Sequence, residues 1–317
     1  MAKQLSIFCN AYFDDQATAF LVDATKNHHL LRDSDDCSSA DVAFGQPQPE
    51  QIIAATHLKW IHITSAGYTR YDTEEVRAAL RQHGTIFTNS SHVFDAPCAE
   101  HVLAMMLAQA RQLLPCYESQ RTDHAWQSDE RRQGSFLLDE QTVLLLGMGA
   151  IAEYLIRLLQ PFGMKIIAVR RNPQAFAQAL DGVEVVAESA LDAVLPQADH
   201  VVNLLPESLS TQHFMNAARF AQMKMGARFY NIGRGATVDQ NALLDALHSG
   251  HLAFASLDVT DPEPLPPQHP LWTAPKCFIT PHSAGGHQGE GLRLVQHFIR
   301  NLRAFEAGET LMDRVWK

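Results

Sequence analysis

Short apolar runs, separated by polar, turn-forming or helix-compatible stretches, recur along the whole chain. In the first hundred residues the runs 5–9, 42–44, 60–64 and 85–88 read as strands, and 51–55 and 73–82 as helices. Strands that alternate with helical patterns predict a parallel α/β sheet. A second series starts at residue 142. Its strands are predicted at 142–146, 165–169, 200–204, 227–232, 253–259 and 278–280, with helices at 150–160, 190–195, 211–222 and 240–249. Residues 97–114 form a helix-compatible stretch rich in Ala, Leu and Met. Residues 116–140 are polar around Trp126, with few periodic apolar positions, so an extended arm that packs on a partner chain is expected there. A final amphipathic helix, 292–307, follows the last strand and is expected to return and cover the first domain. The pattern predicts an α/β chain of two Rossmann-like or flavodoxin-like domains with parallel sheets and a cleft between them. The boundaries fall at 1–98 plus 287–317 for one domain and 99–286 for the other.

Length agrees, since 317 residues suffice for two domains of ordinary size. A chain that is 46% hydrophobic and 19% charged is a folded globular type and not a disordered one. The net charge of -10 argues against nucleic acid as a partner, because phosphate binding needs a basic face. It still permits a small basic pocket for an anionic substrate. No apolar run approaches the roughly 20 residues needed to span a bilayer. The apolar start of the chain is broken by Asn10 and then Asp14 and Asp15, which favours a first strand over a signal peptide. Cys9, Cys37, Cys98, Cys116 and Cys277 show no paired spacing, so free thiols in a reducing cytoplasm are expected. His248 and His251 flank Ser249-Gly250, a helix-end turn, and no metal site is expected.

Two constellations carry chemistry. The first is Gly147-Met148-Gly149-Ala150-Ile151-Ala152, a Gly-x-Gly-x-x-Ala pattern between a buried strand and a helix. Gly147 allows the tight turn, Gly149 lets the backbone approach a pyrophosphate, and Ala152 allows close helix–strand packing. The helix N-terminus then meets the anion with free N–H groups. At the end of the next strand an NAD site carries an acid for the ribose 2′-hydroxyl. Here Arg170-Arg171-Asn172 stands instead, and two guanidiniums suit a 2′-phosphate.

The second constellation is Arg234, Glu263 and His282. Each follows an apolar run, at 227–232, 253–259 and 277–280. In an open α/β sheet, ligands bind outside the carboxyl ends of the strands. A cation, a carboxylate and an imidazole gathered there can orient an anionic substrate and move a proton. The prolines at 262, 264, 266, 267 and 270 stiffen the loop that follows Asp258.

On these residues, and most firmly over 147–286, the chain resembles the D-isomer-specific 2-hydroxyacid dehydrogenases of the glyoxylate/hydroxypyruvate reductase kind. Weaker matches upstream are Ser65-Ala66-Gly67-Tyr68, similar to the family's substrate-carboxylate loop, and Ala99-Glu100-His101-Val102-Leu103-Ala104, similar to the start of its interdomain and dimer helix. The resemblance implies a substrate domain at 1–98 plus 287–317 and a dinucleotide-binding domain at 99–286. It implies reduction of a small 2-oxoacid to the D-2-hydroxyacid. Arg234 would bind the carboxylate and 2-oxo oxygen, and His282 would donate the proton. Glu263 would hydrogen-bond His282 and favour its charged form. The N–H groups of Ala66 and Gly67 would hold the carboxylate, with Tyr68 beside them, where Tyr68-Thr69 stands in place of the Val-Asp of many relatives. The cofactor would lie against Gly147, Met148, Gly149, Ala150, Ile151, Arg170, Arg171, Leu205, Pro206, Ser210, Ile232, Gly233, Asp258 and Ala284, with Asp258 at the nicotinamide carboxamide. NADP(H) is expected to be preferred and NAD(H) possible. A homodimer built on the 97–114 helix and the 116–140 arm is expected. The alternatives are an NAD-linked D-2-hydroxyacid or phosphoglycerate dehydrogenase, and a dinucleotide-sensing, corepressor-like binding protein.

Overall fold

The computed structural model describes residues 4–32, 36–172 and 181–316. The chain divides into two compact units, Met1–Phe94 with Gly286–Lys317, and Asp95–Gly285. The first holds strands β1 (Ser6–Cys9), β2 (His29–Leu31), β3 (Val42–Gly45), β4 (Trp60–Ile63) and β5 (Ile86–Thr88). They form a sheet in the order β2-β1-β3-β4-β5, parallel throughout. Helices α1 (Asp15–Ala24), α2 (Pro49–Ala54) and α3 (Glu74–His83) connect them. Asp14 caps α1 by accepting the Ala17 N–H, and Thr73 caps α3 by accepting the Val76 N–H.

The boundary at Phe94 falls inside α4 (Ser91–Ala110). The stretch after it contains α5 (Leu113–Arg121) and α6 (Ser128–Gly134), neither of which buries a residue. The second unit's strands are β6 (Thr142–Leu146), β7 (Lys165–Arg170), β8 (Val183–Ala187), β9 (His200–Asn203), β10 (Ala227–Asn231), β11 (Leu252–Leu257) and β12 (Cys277–Ile279). Their order is β12-β11-β10-β9-β6-β7-β8, again parallel. Helices α7 (Ala150–Leu159), α8 (Leu191–Val194), α9 (Ala217–Gln222) and α10 (Gln240–His248) belong to this unit. The chain moves outward from β6 to β7 and β8, then returns to place β9 on the other side of β6. That reversal opens a crevice at the carboxyl ends of β6 and β9, where open sheets of this kind bind ligands.

The last helix, α11 (Glu290–Ala307), lies on the sheet of the first unit, with Val295, Phe298 and Leu302 packed among Ile7, Leu21, Phe44 and Trp60. Phe298 stacks on Phe44 with centroids 4.1 Å apart and on Trp60 at 5.2 Å. Burying one such side chain contributes roughly 1.5–3 kcal/mol. The other face of that sheet is covered by Ile52, Tyr71, Val76 and Leu80.

The pattern of the sequence departs from the structure in several places. α1, β2 and β8 are additional elements, because β2 is only three residues long and β8 is only partly buried. The helix expected at 97–114 is α4, which starts six residues earlier, keeps Pro97 inside and stops at Ala110. Its start is set by Asn89, whose side chain accepts the Ser91 N–H, and by Asp313, whose carboxylate accepts the His92 N–H at 3.0 Å. A cap 221 positions away leaves no local signal. The arm expected at 116–140 contains part of α5 and all of α6 in place of extended chain. The helix expected at 211–222 is shortened to α9, because Asn216 caps it by accepting the Arg219 N–H.

Candidate active site

β6 ends at Leu146, and Gly147 follows with φ +104°. Its N–H donates to the Val169 carbonyl at 3.1 Å. A Cβ at Gly147 would make only ordinary contact with Leu204, so the backbone conformation and not crowding requires glycine. Around Gly149 the position of a Cβ is open, with no atom within 4 Å. Gly149 starts α7 without a side-chain cap, so the first helical amides face that space. Met148 and Ala152 are buried, and Ala150 and Ile151 half-buried, which seats the helix closely on the sheet. Free amides at an open helix start fit a dinucleotide pyrophosphate. Arg170 is half-buried at the end of β7 and Arg171 is exposed after it. The loop after β9 presents a half-buried Leu205 and exposed Pro206 and Ser210. It is braced by a hydrogen bond from Thr211 Oγ1 to the Pro206 carbonyl at 2.6 Å.

Arg234 is set by a buried polar network. Asn203 Nδ2 donates to Asn231 Oδ1 at 3.0 Å and to Thr237 Oγ1 at 2.7 Å. Asn231 Nδ2 and Thr237 Oγ1 both donate to the Arg234 carbonyl, and Asn231 Oδ1 accepts the Gly233 N–H. Ile232 and Gly233 are buried beneath it. A Cβ at Gly233 would lie 2.6 Å from the Leu205 carbonyl oxygen, and one at Gly235 would lie 1.9 Å from that of Thr260. Only glycine lets these backbones approach. The Arg234 side chain is half-buried, and its Nη1 donates to the Gly233 carbonyl at 2.6 Å.

After β11 comes Asp258, a buried carboxylate. Its Oδ1 accepts from Thr280 Oγ1 at 2.6 Å and from the Ser283 N–H at 2.9 Å, and the Ala284 N–H reaches both oxygens. The Asp258 carbonyl accepts the His282 N–H at 2.8 Å. These bonds hold His282 in a left-handed conformation, φ +50°, in the loop after β12. His282 Nδ1 lies 2.8 Å from Glu263 Oε2, and Glu263 Oε1 accepts the Thr260 N–H at 3.0 Å. The carboxylate is therefore anchored at one oxygen and bonded to the imidazole at the other. Both side chains are open to solvent. Arg234, Glu263 and His282 thus follow three adjacent strands, β10, β11 and β12, and the geometry pairs Glu263 with His282. Cys98, in α4, is buried near Asp258. Burial first, then the Asp258 charge, pushes its thiol up to about 12, so it stays protonated.

The Ser65–Tyr68 loop belongs to the other unit. Ser65 Oγ donates to the Gly67 carbonyl at 2.6 Å, and Asn89 Nδ2 donates to the Ala66 carbonyl at 2.7 Å. The Ser90 N–H donates to the Ser65 carbonyl, and Gln46 Nε2 to Ser65 Oγ. With the carbonyls occupied, the Ala66 and Gly67 N–H groups donate to no atom of the described residues. His248 and His251 each bond a main-chain carbonyl, of Leu244 and Met223.

A family model for the NAD binding domain of D-isomer specific 2-hydroxyacid dehydrogenases matches residues 103–284. The chain belongs to this family. It is an NAD(P)-dependent oxidoreductase of the 2-hydroxyacid dehydrogenase and 2-oxoacid reductase kind. It is 30% identical over 281 residues to a glyoxylate/hydroxypyruvate reductase A of Yersinia enterocolitica, covering 86% of this chain and 85% of that one. A D-isomer specific 2-hydroxyacid dehydrogenase from Xanthobacter autotrophicus, solved with NADPH and MES, is 26% identical. It superimposes with a TM-score of 0.83 over 99% of this chain and 98% of its own. An NADPH-dependent glyoxylate/hydroxypyruvate reductase from Sinorhizobium meliloti, solved with NADP and sulfate, gives 0.82 at 26% identity over the same shares.

Residues that hold the family member's site together were not evident as site residues in its sequence. Asn203, Asn231, Thr237, Thr260 and Thr280 each bond a residue of the constellation or its network. The available signal was a polar side chain at or just beyond the end of an apolar strand, as at Asn203 and Asn231.

Proposed function

We propose that the enzyme reduces a small 2-oxoacid, glyoxylate, hydroxypyruvate or a similar compound, to the D-2-hydroxyacid, with NADPH preferred over NADH. The reduced dinucleotide, when bound, supplies the hydride to the 2-oxo carbon. Residues 95–285 would hold it, at the open start of α7, along the loop of Leu205, Pro206 and Ser210, and beside Ile232, Gly233 and Ala284. Arg170 and Arg171 would take the 2′-phosphate. Asp258, already tying down the His282 loop, would also accept from the nicotinamide carboxamide. Arg234 would grip the substrate carboxylate and its 2-oxo oxygen, with the Ala66 and Gly67 N–H groups on the carboxylate and Tyr68 beside them. Hydride addition builds an alkoxide, which needs a proton and a nearby positive charge. His282 gives that proton from Nε2, while Glu263 orients the ring through Nδ1. The observation that carries this reading is the His282–Glu263 bond of 2.8 Å, with Glu263 anchored on Thr260.

A homodimer fits the exposed Leu113, Tyr117, Trp126 and Leu137 of the α5–α6 stretch, which a second copy would cover. Light scattering at micromolar concentration is expected to give twice the chain mass; a single chain mass refutes the dimer.

The test of function is oxidation of NADPH and of NADH with glyoxylate, hydroxypyruvate and phenylpyruvate. A hydrogen bond to a charged group contributes roughly 1.5–3 kcal/mol. The expected advantage of NADPH is therefore about ten- to a hundredfold in kcat/KM, and Arg170→Asp should cut or reverse it. Equal kcat/KM with the two cofactors refutes the preference. Turnover of none of a broad 2-oxoacid panel refutes the reductase and favours a dinucleotide-sensing protein.

A further inference from the structure

The segment 311–316, after α11, does more than close the first unit. It runs antiparallel beside β5, with a bridge between Thr88 and Arg314 and a bond from the Val315 N–H to the Phe87 carbonyl. Asn301 of α11 clamps its start, accepting the Met312 N–H at 2.8 Å and donating to the Met312 carbonyl at 3.1 Å. Asp313 follows with φ +57° and a buried carboxylate. That carboxylate accepts the His92 N–H and pairs with the His92 ring, while His297 Nε2 lies 3.0 Å away. Burial would raise its pKa. The two histidines more than offset this and hold it below the usual carboxylate range.

This segment meets the Ser65–Tyr68 loop in two ways. The Asp313 carbonyl accepts the Asn89 N–H at 3.0 Å, and Asn89 is the residue whose amide holds the Ala66 carbonyl. The Trp316 ring stands edge-on to Tyr68, with centroids 5.6 Å apart and planes at 83°. Behind it, Trp316 packs on Phe87 at 4.9 Å, and the Arg77 guanidinium lies 5.9 Å over its ring. Tyr68 is thus backed by a large aromatic wall that is itself fixed on two sides.

We infer that Trp316 and Asp313 are positioning residues for substrate selection: Asp313 sets the backbone of the carboxylate loop through Asn89, and Trp316 sets how far Tyr68 stands into the space for the 2-oxoacid side chain. This rests on the proposed 2-oxoacid reduction. Neither residue touches substrate, and both act through the loop. Removing the Trp316 ring opens room behind Tyr68 and lets it withdraw. A bulky 2-oxoacid then gains and a small one loses its wall. Changes of this size in a pocket shift selectivity by about tenfold or somewhat more.

The experiment compares kcat and KM for glyoxylate and phenylpyruvate in wild type, Trp316→Ala, Trp316→Phe, Tyr68→Ala and the double variant, with NADPH saturating. Trp316→Ala is expected to raise the ratio of kcat/KM for phenylpyruvate over glyoxylate about tenfold. The change should lie in KM, with the KM for NADPH unaltered. Trp316→Phe should return the ratio toward wild type. In the Tyr68→Ala background, Trp316→Ala should change nothing further, because its route is already gone. Trp316→Leu gives the same reading if the alanine variant does not fold. An unchanged ratio, an equal loss with both substrates, or effects that simply add in the double variant overturns the inference while the reductase stands. Failure of wild type to reduce any 2-oxoacid overturns both.

Discussion

In the second unit, one buried carboxylate, Asp258, takes hydrogen bonds from three donors of the loop that carries His282. In the first unit, the Ser65–Tyr68 loop rests on single bonds from Asn89, Ser90, Gln46 and Ser65 itself, and Asn89 is braced in turn by the carbonyl of Asp313, more than 200 positions away. The loop that would transfer a proton is held at its root by a charge. The loop that would choose the substrate is held from outside by neutral groups and rings. The difference follows from what each has to do. Proton transfer requires a placement that a shift of about 1 Å ruins. A selectivity wall is retuned by changing the side chain behind it, with the backbone and the chemistry left alone.

The comparison can be broken by removing one prop from each unit. Asp258→Ala leaves the buried Ala284 N–H and the Thr280 hydroxyl without their acceptor. An unsatisfied buried group costs about 1–3 kcal/mol and a bond to a charge about as much, so a loss of about 3 kcal/mol or more is expected, together with a fall in kcat. Asn89→Ala removes one neutral bond to Ala66 and a helix cap, for about 1–2 kcal/mol. It should act on the KM for 2-oxoacid and spare kcat. Urea unfolding with steady-state kinetics reads both, and a kcat defect in Asn89→Ala equal to that of Asp258→Ala would remove the distinction.

Acid sharpens the comparison, because each sheet contains one buried histidine. His62 in β4 lies between Thr88 Oγ1 at 2.7 Å and Ser90 Oγ at 3.2 Å. His200 in β9 lies between the Tyr230 hydroxyl at 3.0 Å and Gln141 Oε1 at 2.7 Å. Burial, aided by His297 in one case and Arg228 in the other, pushes both down to about 3. Above the unfolded value near 6.5, folded and unfolded forms are both neutral and stability is complete. As pH falls from there toward 3, only the unfolded chain takes the protons. Each histidine then costs stability at about 1.4 kcal/mol per pH unit. Asp313 adds a loss at still lower pH, since a depressed carboxylate stabilises above its unfolded value and fails as pH falls toward its folded one. Urea midpoints are therefore expected to fall between pH 7.5 and 5, and the slope to flatten in His62→Gln and in His200→Gln. A midpoint constant over that range contradicts the burial argument for both sheets.

What the sequence made legible was what the chain encodes locally. Gly147, Gly149 and Ala152 stand within six residues, and the strand runs before Arg234, Glu263 and His282 place each of the three beyond the end of a strand of a parallel sheet. What it hid was set by distant partners. The start of α4 depends on Asp313, and the short strand β2 is defined by its pairing with β1. Asn203 and Asn231 look like the ends of strands until the fold brings them together at 3.0 Å. Trp316 is the one aromatic in a short mixed stretch, and its place against Tyr68 exists only in the folded unit.

The central claim is that His282, held by Glu263, supplies the proton. It is tested most directly by the single-turnover rate of NADPH oxidation by saturating 2-oxoacid in wild type and His282→Ala, with NADPH binding measured alongside by fluorescence. General acid–base groups contribute about 10²–10⁴-fold, so the account predicts a fall of that order with the Kd for NADPH nearly unchanged; a rate within about threefold of wild type would contradict it.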